Sequence, residues 1–188
     1  AWLKAAVSQY RAFLNPEYAK VLDLEIRTNP LYHPAVNAGL YHAKHYTGQE
    51  EMFLSTIAEK IPGVKASERA YVGFLNMVRF YTFYQIANQW QGSIRTAKDY
   101  RDLAKFLNHA TGRGDWKWLN KYLKEANIFF FAPRLAVGRI QVITDLFTAD
   151  DPVRKLIAAN LVESVGVGLL ILGLIGTIGK ATDKFEIE

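Results

Sequence analysis

The chain contains no cysteine, which excludes disulfide frameworks, cysteine-ligated zinc and thiol catalysis together. No stretch alternates apolar and polar residues long enough to read as a strand. No repeat with a period of roughly 20–50 residues and no low-complexity segment is present. Catalytic signatures are missing too. There is no Gly-x-Ser-x-Gly elbow, no His-Glu-x-x-His, and no phosphate loop of the Gly-x4-Gly-Lys-Ser/Thr kind. Carboxylates such as Asp99, Asp102 and Asp115 sit near helix caps and on helix surfaces, which accounts for them without an acid–base pair. The expectation is a non-enzymatic protein with no cofactor, no metal and no small-molecule substrate. No charged stretch followed by an apolar one marks a signal peptide at the start. Beginning at Ala1 and ending at Glu188, the sequence reads as a piece of a longer or processed polypeptide.

What is present is an ordinary globular balance: half of the 188 residues are hydrophobic and 22% are charged, enough for one domain with a real core. The net charge of +5 is spread along the chain, so it favours anionic partners only mildly. Trp2, Leu3, Ala6, Val7, Tyr10, Phe13 and Leu14 recur at helical spacing, predicting an amphipathic helix over 1–14. Asn15-Pro16 stops it and starts a second helix running to Arg27. Further helices are predicted over Pro34–Tyr46, Gln49–Lys60 (ended by Ile61-Pro62-Gly63), Ser67–Trp90 with Ser67 as N-cap, Thr96–Ala110, Trp116–Ala126, Pro133–Phe147 and from Asp151-Pro152 to Gly179. Thr96 and Asp99 form a weak capping box. The Ser67–Trp90 helix is apolar on more than one side and is expected to be central. The fold class is all-α, a multi-helix bundle with a long central helix and an apolar, glycine-rich C-terminal helix. Three segments are expected: 1–66, 67–155 and 156–188.

Several clusters invite a functional reading. His33, His42 and His45 lie close in sequence but lack the further ligands a metal site needs. In Thr111–Asp115, Gly112 and Gly114 offer positive-φ positions that turn one helix into the next, leaving Arg113 on the corner. Trp116, Lys117, Trp118 and Lys121 place aromatics among lysines, a pattern that serves single-stranded nucleic acid by stacking and charge or serves a core beside a solvated face. Phe129–Phe131 reads as a buried linker. From Leu156 to Gly179 the only formal charge is Glu163, and a spanning helix needs about 20 largely apolar residues. Arg154, Lys155 and Lys180 flank the run as interfacial anchors. Its residues Leu169, Leu170, Ile171, Leu172, Gly173 and Gly176 either enter membrane or pack on a partner or core, and the glycines permit close approach of helices.

Ser67-Glu68-Arg69-Ala70, Gly73-Phe74-Leu75-Asn76 and Arg79 open a pattern that resembles the helical "large polyvalent protein-associated" segments of phage polyproteins and internal virion proteins. It continues through Phe106-Leu107-Asn108, Ala110-Thr111-Gly112-Arg113-Gly114, Leu119, Ala126-Asn127 and Phe130-Phe131-Ala132-Pro133-Arg134. Gly138-Arg139, Gln141 and Asp151-Pro152-Val153-Arg154-Lys155 complete it. The resemblance covers about residues 67–180, and residues 1–66 have no counterpart. Two departures stand out: Trp116-Lys117-Trp118 replaces a small, flexible Leu-Gly, and the chain stops at Glu188. The resemblance implies a non-enzymatic virion protein that oligomerises with itself or other virion proteins and assists genome delivery. Its places would be the virion and, on infection, the host envelope, with host membrane as a partner. The alternative is a nucleic-acid-binding helical module of a larger polypeptide, with DNA as the partner. Arg113, Arg134 and Arg139 would be interhelical or intersubunit anchors, because a guanidinium fork satisfies several acceptors.

Overall fold

The computed structural model describes residues 2–43, 62–90, 96–114 and 133–185, with side chains over 5–43, 66–67, 70–90, 96–114 and 136–175. The described residues form seven helices and no strand, as the missing alternation predicts: α1 (Trp2–Leu14), α2 (Pro16–Arg27), α3 (Tyr32–Asn37), α4 (Pro62–Gln89), α5 (Ala97–Ala110), α6 (Pro133–Thr148) and α7 (Asp151–Phe185). The expected helices over 49–60 and 116–126 and the Phe129–Phe131 linker lie outside the described residues.

α4 is the central helix, packed by α1, α2, α3 and α5. Met77, Phe80 and Phe83 are fully buried on it, and each contributes about 1.5–3 kcal/mol by leaving water. α1 makes the most extensive packing against α4, but through an unexpected face. Ala5, Ser8 and Ala12 are buried, whereas Val7, Phe13, Leu14 and Tyr10 (68% accessible) are exposed. The small side chains at positions 5, 8 and 12 share one side of the helix and let its axis approach α4 closely. Packing along that seam outweighs burial of the larger apolar side chains. One core runs from Ala5 to Ile157, so residues 1–66 and 67–155 share it.

Local chemistry sets the helix ends. Asn15 Oδ1 accepts from the Glu17 amide (2.9 Å) ahead of Pro16 at N1, and the Thr96–Asp99 capping box is formed in both directions. Three predicted boundaries move. α3 begins at Tyr32 and ends at Asn37, not Tyr46, because Gly39 turns left-handed (φ 95°). α4 begins at Pro62, not after Ser67: proline is well suited to a first turn, whose N–H groups have no helical partner, so Pro62 opens a helix. α7 counts from Asp151 and continues past Gly179 to Phe185.

After α3 the chain leaves the helical conformation, and two asparagines supply bonds to its backbone. Asn108 on α5 accepts from the Tyr41 amide and donates to the Gly39 carbonyl, both at 2.9 Å. Asn76 on α4 accepts from the Ala43 amide (3.0 Å) and donates to the Ala43 carbonyl (3.2 Å). Buried backbone groups must be paired, and for Ala43 the Asn76 carboxamide does it.

Where α6 crosses the end of α5, Gly138 is required: a Cβ there would stand 2.7 Å from the His109 carbonyl oxygen. That contact is with backbone, which cannot swing aside. Gly138→Ala is therefore expected to lower stability by about 1–3 kcal/mol, read as a lower melting temperature; an unchanged value would show that α6 slides freely. Asn76→Ala strands the two backbone groups of Ala43, at about 1–3 kcal/mol each. Urea denaturation should give a lower midpoint, and a midpoint equal to the parent's would show that Asn76 does not hold the segment.

Candidate functional site: the exposed apolar helix

α7 starts inside the fold and leaves it. Val153 and Ile157 are completely buried against the core, and Leu156 and Leu161 pack on its edge, where α7 meets α5 and α6. Its base is tied down by charge. Lys98 reaches Asp102 (2.8 Å) and Asp150 (2.7 Å), the Asp150 amide donates to Asp102 (3.0 Å), and Arg154 donates to the Ala149 carbonyl (3.0 Å). Hydrogen bonds to Asp102 and Asp150 hold the Lys98 ammonium above its ordinary pKa, so it stays charged throughout the neutral range.

Beyond Leu161 the large apolar side chains of α7 turn outward as far as Ile175. From Val162 to Ile175 the valines, leucines and isoleucines are between 50% and 74% accessible. At 3.6 residues per turn, Val162, Val165, Val167, Leu169–Leu172, Leu174 and Ile175 fall around the whole circumference. A helix with an apolar stripe suits one protein neighbour; a helix apolar all round suits a wholly apolar surrounding. Segment 151–175 is long and apolar enough to cross a membrane, by length and composition. The uncharged run Ser164–Gly179 amounts to about 24 Å of helix, against a hydrocarbon core of about 30 Å. Gly166, Gly168 and Gly173 have nothing within 4 Å of where a Cβ would stand, so none of them serves a close approach to another of the described residues. Of the alternatives the sequence leaves open, packing on the chain's own core ends at Leu161 among the described residues, and a membrane or a partner remains for Val162 to Ile175.

The other sequence candidates fall in different places. Leu169, Leu170, Ile171 and Leu172 are among the exposed residues just described; Gly176 is helical, but its surroundings lie outside the described side chains, as does the side chain of Arg134. Trp116, Lys117, Trp118 and Lys121 also lie outside the described residues. Gly112 takes the left-handed conformation (φ 83°) expected of it, whereas Gly114, of which the same is expected, is not among the positive-φ glycines and is instead buried, its amide nitrogen 3.3 Å from where a Cβ on Gly138 would be. The Arg113 guanidinium lies 3.2 Å from the centre of the Tyr41 ring, holding the turn after α5 to the segment after α3. Arg139 is exposed and makes no ion pair among the described residues. His33 is exposed and His45 lies outside the described residues. His42 is bonded to Asp23 (2.7 Å), which also accepts from Arg27 (2.6 Å), so the two described histidines of the trio do not meet on a metal. Among the described residues no group of three metal-ligating side chains forms.

The most constrained polar groups escaped the sequence reading. Arg79 is buried on α4, donates to Thr111 Oγ1 (2.7 Å) and approaches the Tyr41 ring at 5.4 Å. His109 on α5 donates from Nδ1 to Asp145 on α6 at 2.5 Å, both buried, while Lys105 stands 2.8 Å from the other carboxylate oxygen, close enough to pair though poorly aligned for a hydrogen bond. The available signal was a polar residue in an apolar helical run (Asn76 and Arg79 in α4, His109 in α5). That pattern predicts a buried bond but not its partner.

Burial opposes ionisation of Asp145, yet the hydrogen bond from His109 and the positive charge of Lys105 outweigh it and hold the carboxyl below its ordinary pKa; Asp23 is lowered in the same way by His42 and Arg27. Both carboxylates therefore contribute stability that is fully present at neutral pH and lost as pH falls below about 4 through their folded values. Melting temperature should decline over that acid range, and Asp145→Asn should flatten the decline while costing roughly 3–5 kcal/mol at pH 7. A variant with the parent's acid profile would remove Asp145 from this account.

Compared with protein-family models, with curated proteins and with solved structures, the chain matches none.

Proposed function

We propose that this protein is a non-enzymatic helical module that inserts α7 into a membrane while the α1–α6 body stays at its surface. The observation that carries this reading is the exposed, all-round apolar surface of α7 from Val162 to Ile175. In water that surface would be costly at about 25 cal/mol per Å2, and neither α5 nor α6 covers it. Arg154 and Lys155 at the base and Lys180 beyond the apolar run are spaced to meet the two headgroup layers.

The setting we propose is that of a phage internal virion protein. It would be packaged with the genome, assemble with itself or other virion proteins, and enter the host envelope during delivery. The Ser67–Lys155 residue pattern supports this setting. Direct contact with DNA belongs to the same proposal and draws only on the net positive charge.

Leu170 is 70% accessible, so Leu170→Arg should leave the body folded. A charge at the centre of a spanning helix costs about 2.5–3.5 kcal/mol, on the order of a hundredfold in partitioning. In liposome flotation the parent should travel with the vesicles and Leu170→Arg should remain at the bottom. Equal flotation of the two, or no flotation of the parent, would overturn the membrane reading.

A further inference from the structure

A cavity of about 370 Å3 opens between α3, α4 and α5. Its lining is mostly apolar or aromatic, with Leu31, Phe83, Ala87 and Tyr100, and includes the polar residues Asn37 and Arg101. The volume lies near the bottom of the roughly 300–1,000 Å3 range of small-molecule sites, which are mostly apolar with a few placed polar groups. The aromatic wall is held in place. Tyr100 packs on Phe83 (6.2 Å between centroids) and edge-on against Trp90 (5.6 Å).

The charges around the cavity are unequal in a telling way. Lys98 on α5 is already engaged by two carboxylates, Asp102 and Asp150, a trio with one negative charge in excess. Arg101, beside them, is exposed and makes no ion pair among the described residues. An apolar chamber with a lone guanidinium at its mouth complements one kind of molecule: an apolar tail with an anionic head. The guanidinium fork matches a carboxylate in particular. At this volume one short tail is accommodated and a two-tailed lipid is not.

We infer that this cavity binds a single-tailed carboxylate amphiphile of the fatty-acid class, with its tail against Phe83 and Tyr100 and its head on Arg101. The site is separate from α7 and does not depend on the membrane reading. No covalent step is involved.

Calorimetric titration of the full chain with decanoate tests it, with decanol as the uncharged probe. Ala97 lines the cavity and is exposed, so Ala97→Phe fills the chamber without disturbing the core; Ala38→Phe fills it from α3. Both variants retain α7, so any adsorption of the probe to that helix is common to all and cancels. The parent should show saturable one-to-one binding of decanoate that is lost in both phenylalanine variants. Decanol should bind about fivefold more weakly, as a partly exposed ion pair implies, and Arg101→Gln should bring decanoate down to the decanol affinity. The same isotherm in the parent and both phenylalanine variants would overturn the site, as would absence of saturable binding. Equal affinity for decanoate and decanol in the parent would overturn the role of Arg101 and with it the anionic class.

Discussion

Within one turn at the end of α5, three side chains hold three different parts of the molecule. Asn108 pairs the backbone on either side of Leu40, His109 grips Asp145 on α6, and Thr111 accepts from the buried Arg79 of α4. Arg79, His109 and Asp145 are buried, which is why the arrangement is demanding: a buried polar network is stabilising only when all its members are bonded. Two turns earlier, Lys98 and Asp102 fix the base of α7. α5 is thus the junction through which the α1–α4 layer and the α6–α7 pair are held in register, and Gly138 lets α6 come close enough to take part.

How much of this could be read from the sequence depends on the range of the interaction. Asn15-Pro16, the Thr96–Asp99 box and the left-handed Gly112 are local events within a few residues, and they were legible. So was the apolar run of α7, because sixteen consecutive positions without charge from Ser164 to Gly179 need no partner to be noticed. The asparagine bonds were not legible: Asn108 and Tyr41 are 67 residues apart, and nothing in the composition around either names the other. The start of α4 was misread for a different reason. Proline breaks a helix interior but suits its first turn, and Ile61-Pro62-Gly63 taken alone admits both.

α1 teaches the limit of hydrophobic periodicity. Its larger apolar residues, Val7, Tyr10 and Leu14, mark a face, and that face is exposed. The face that packs is made of alanine and serine, which score as nearly neutral, because close approach of two helix axes depends on what is small as much as on what is apolar. The candidate site divides along the same line. The apolar character of α7 follows from its sequence, whereas its outward course beyond Leu161 depends on how far the core reaches along it.

α7 crosses that point without interruption: a single helix of 35 residues, about 52 Å long, begins in the core and ends far outside it. No loop separates the part gripped by Val153 and Ile157 from the part that is exposed. The body and the apolar rod are therefore mechanically one piece, with no swivel between them. Transmembrane helices lean by about 20° on average, and any such lean would be passed undiminished to the body. Its attitude toward a surrounding surface would be dictated by the bilayer thickness and not by its own charges.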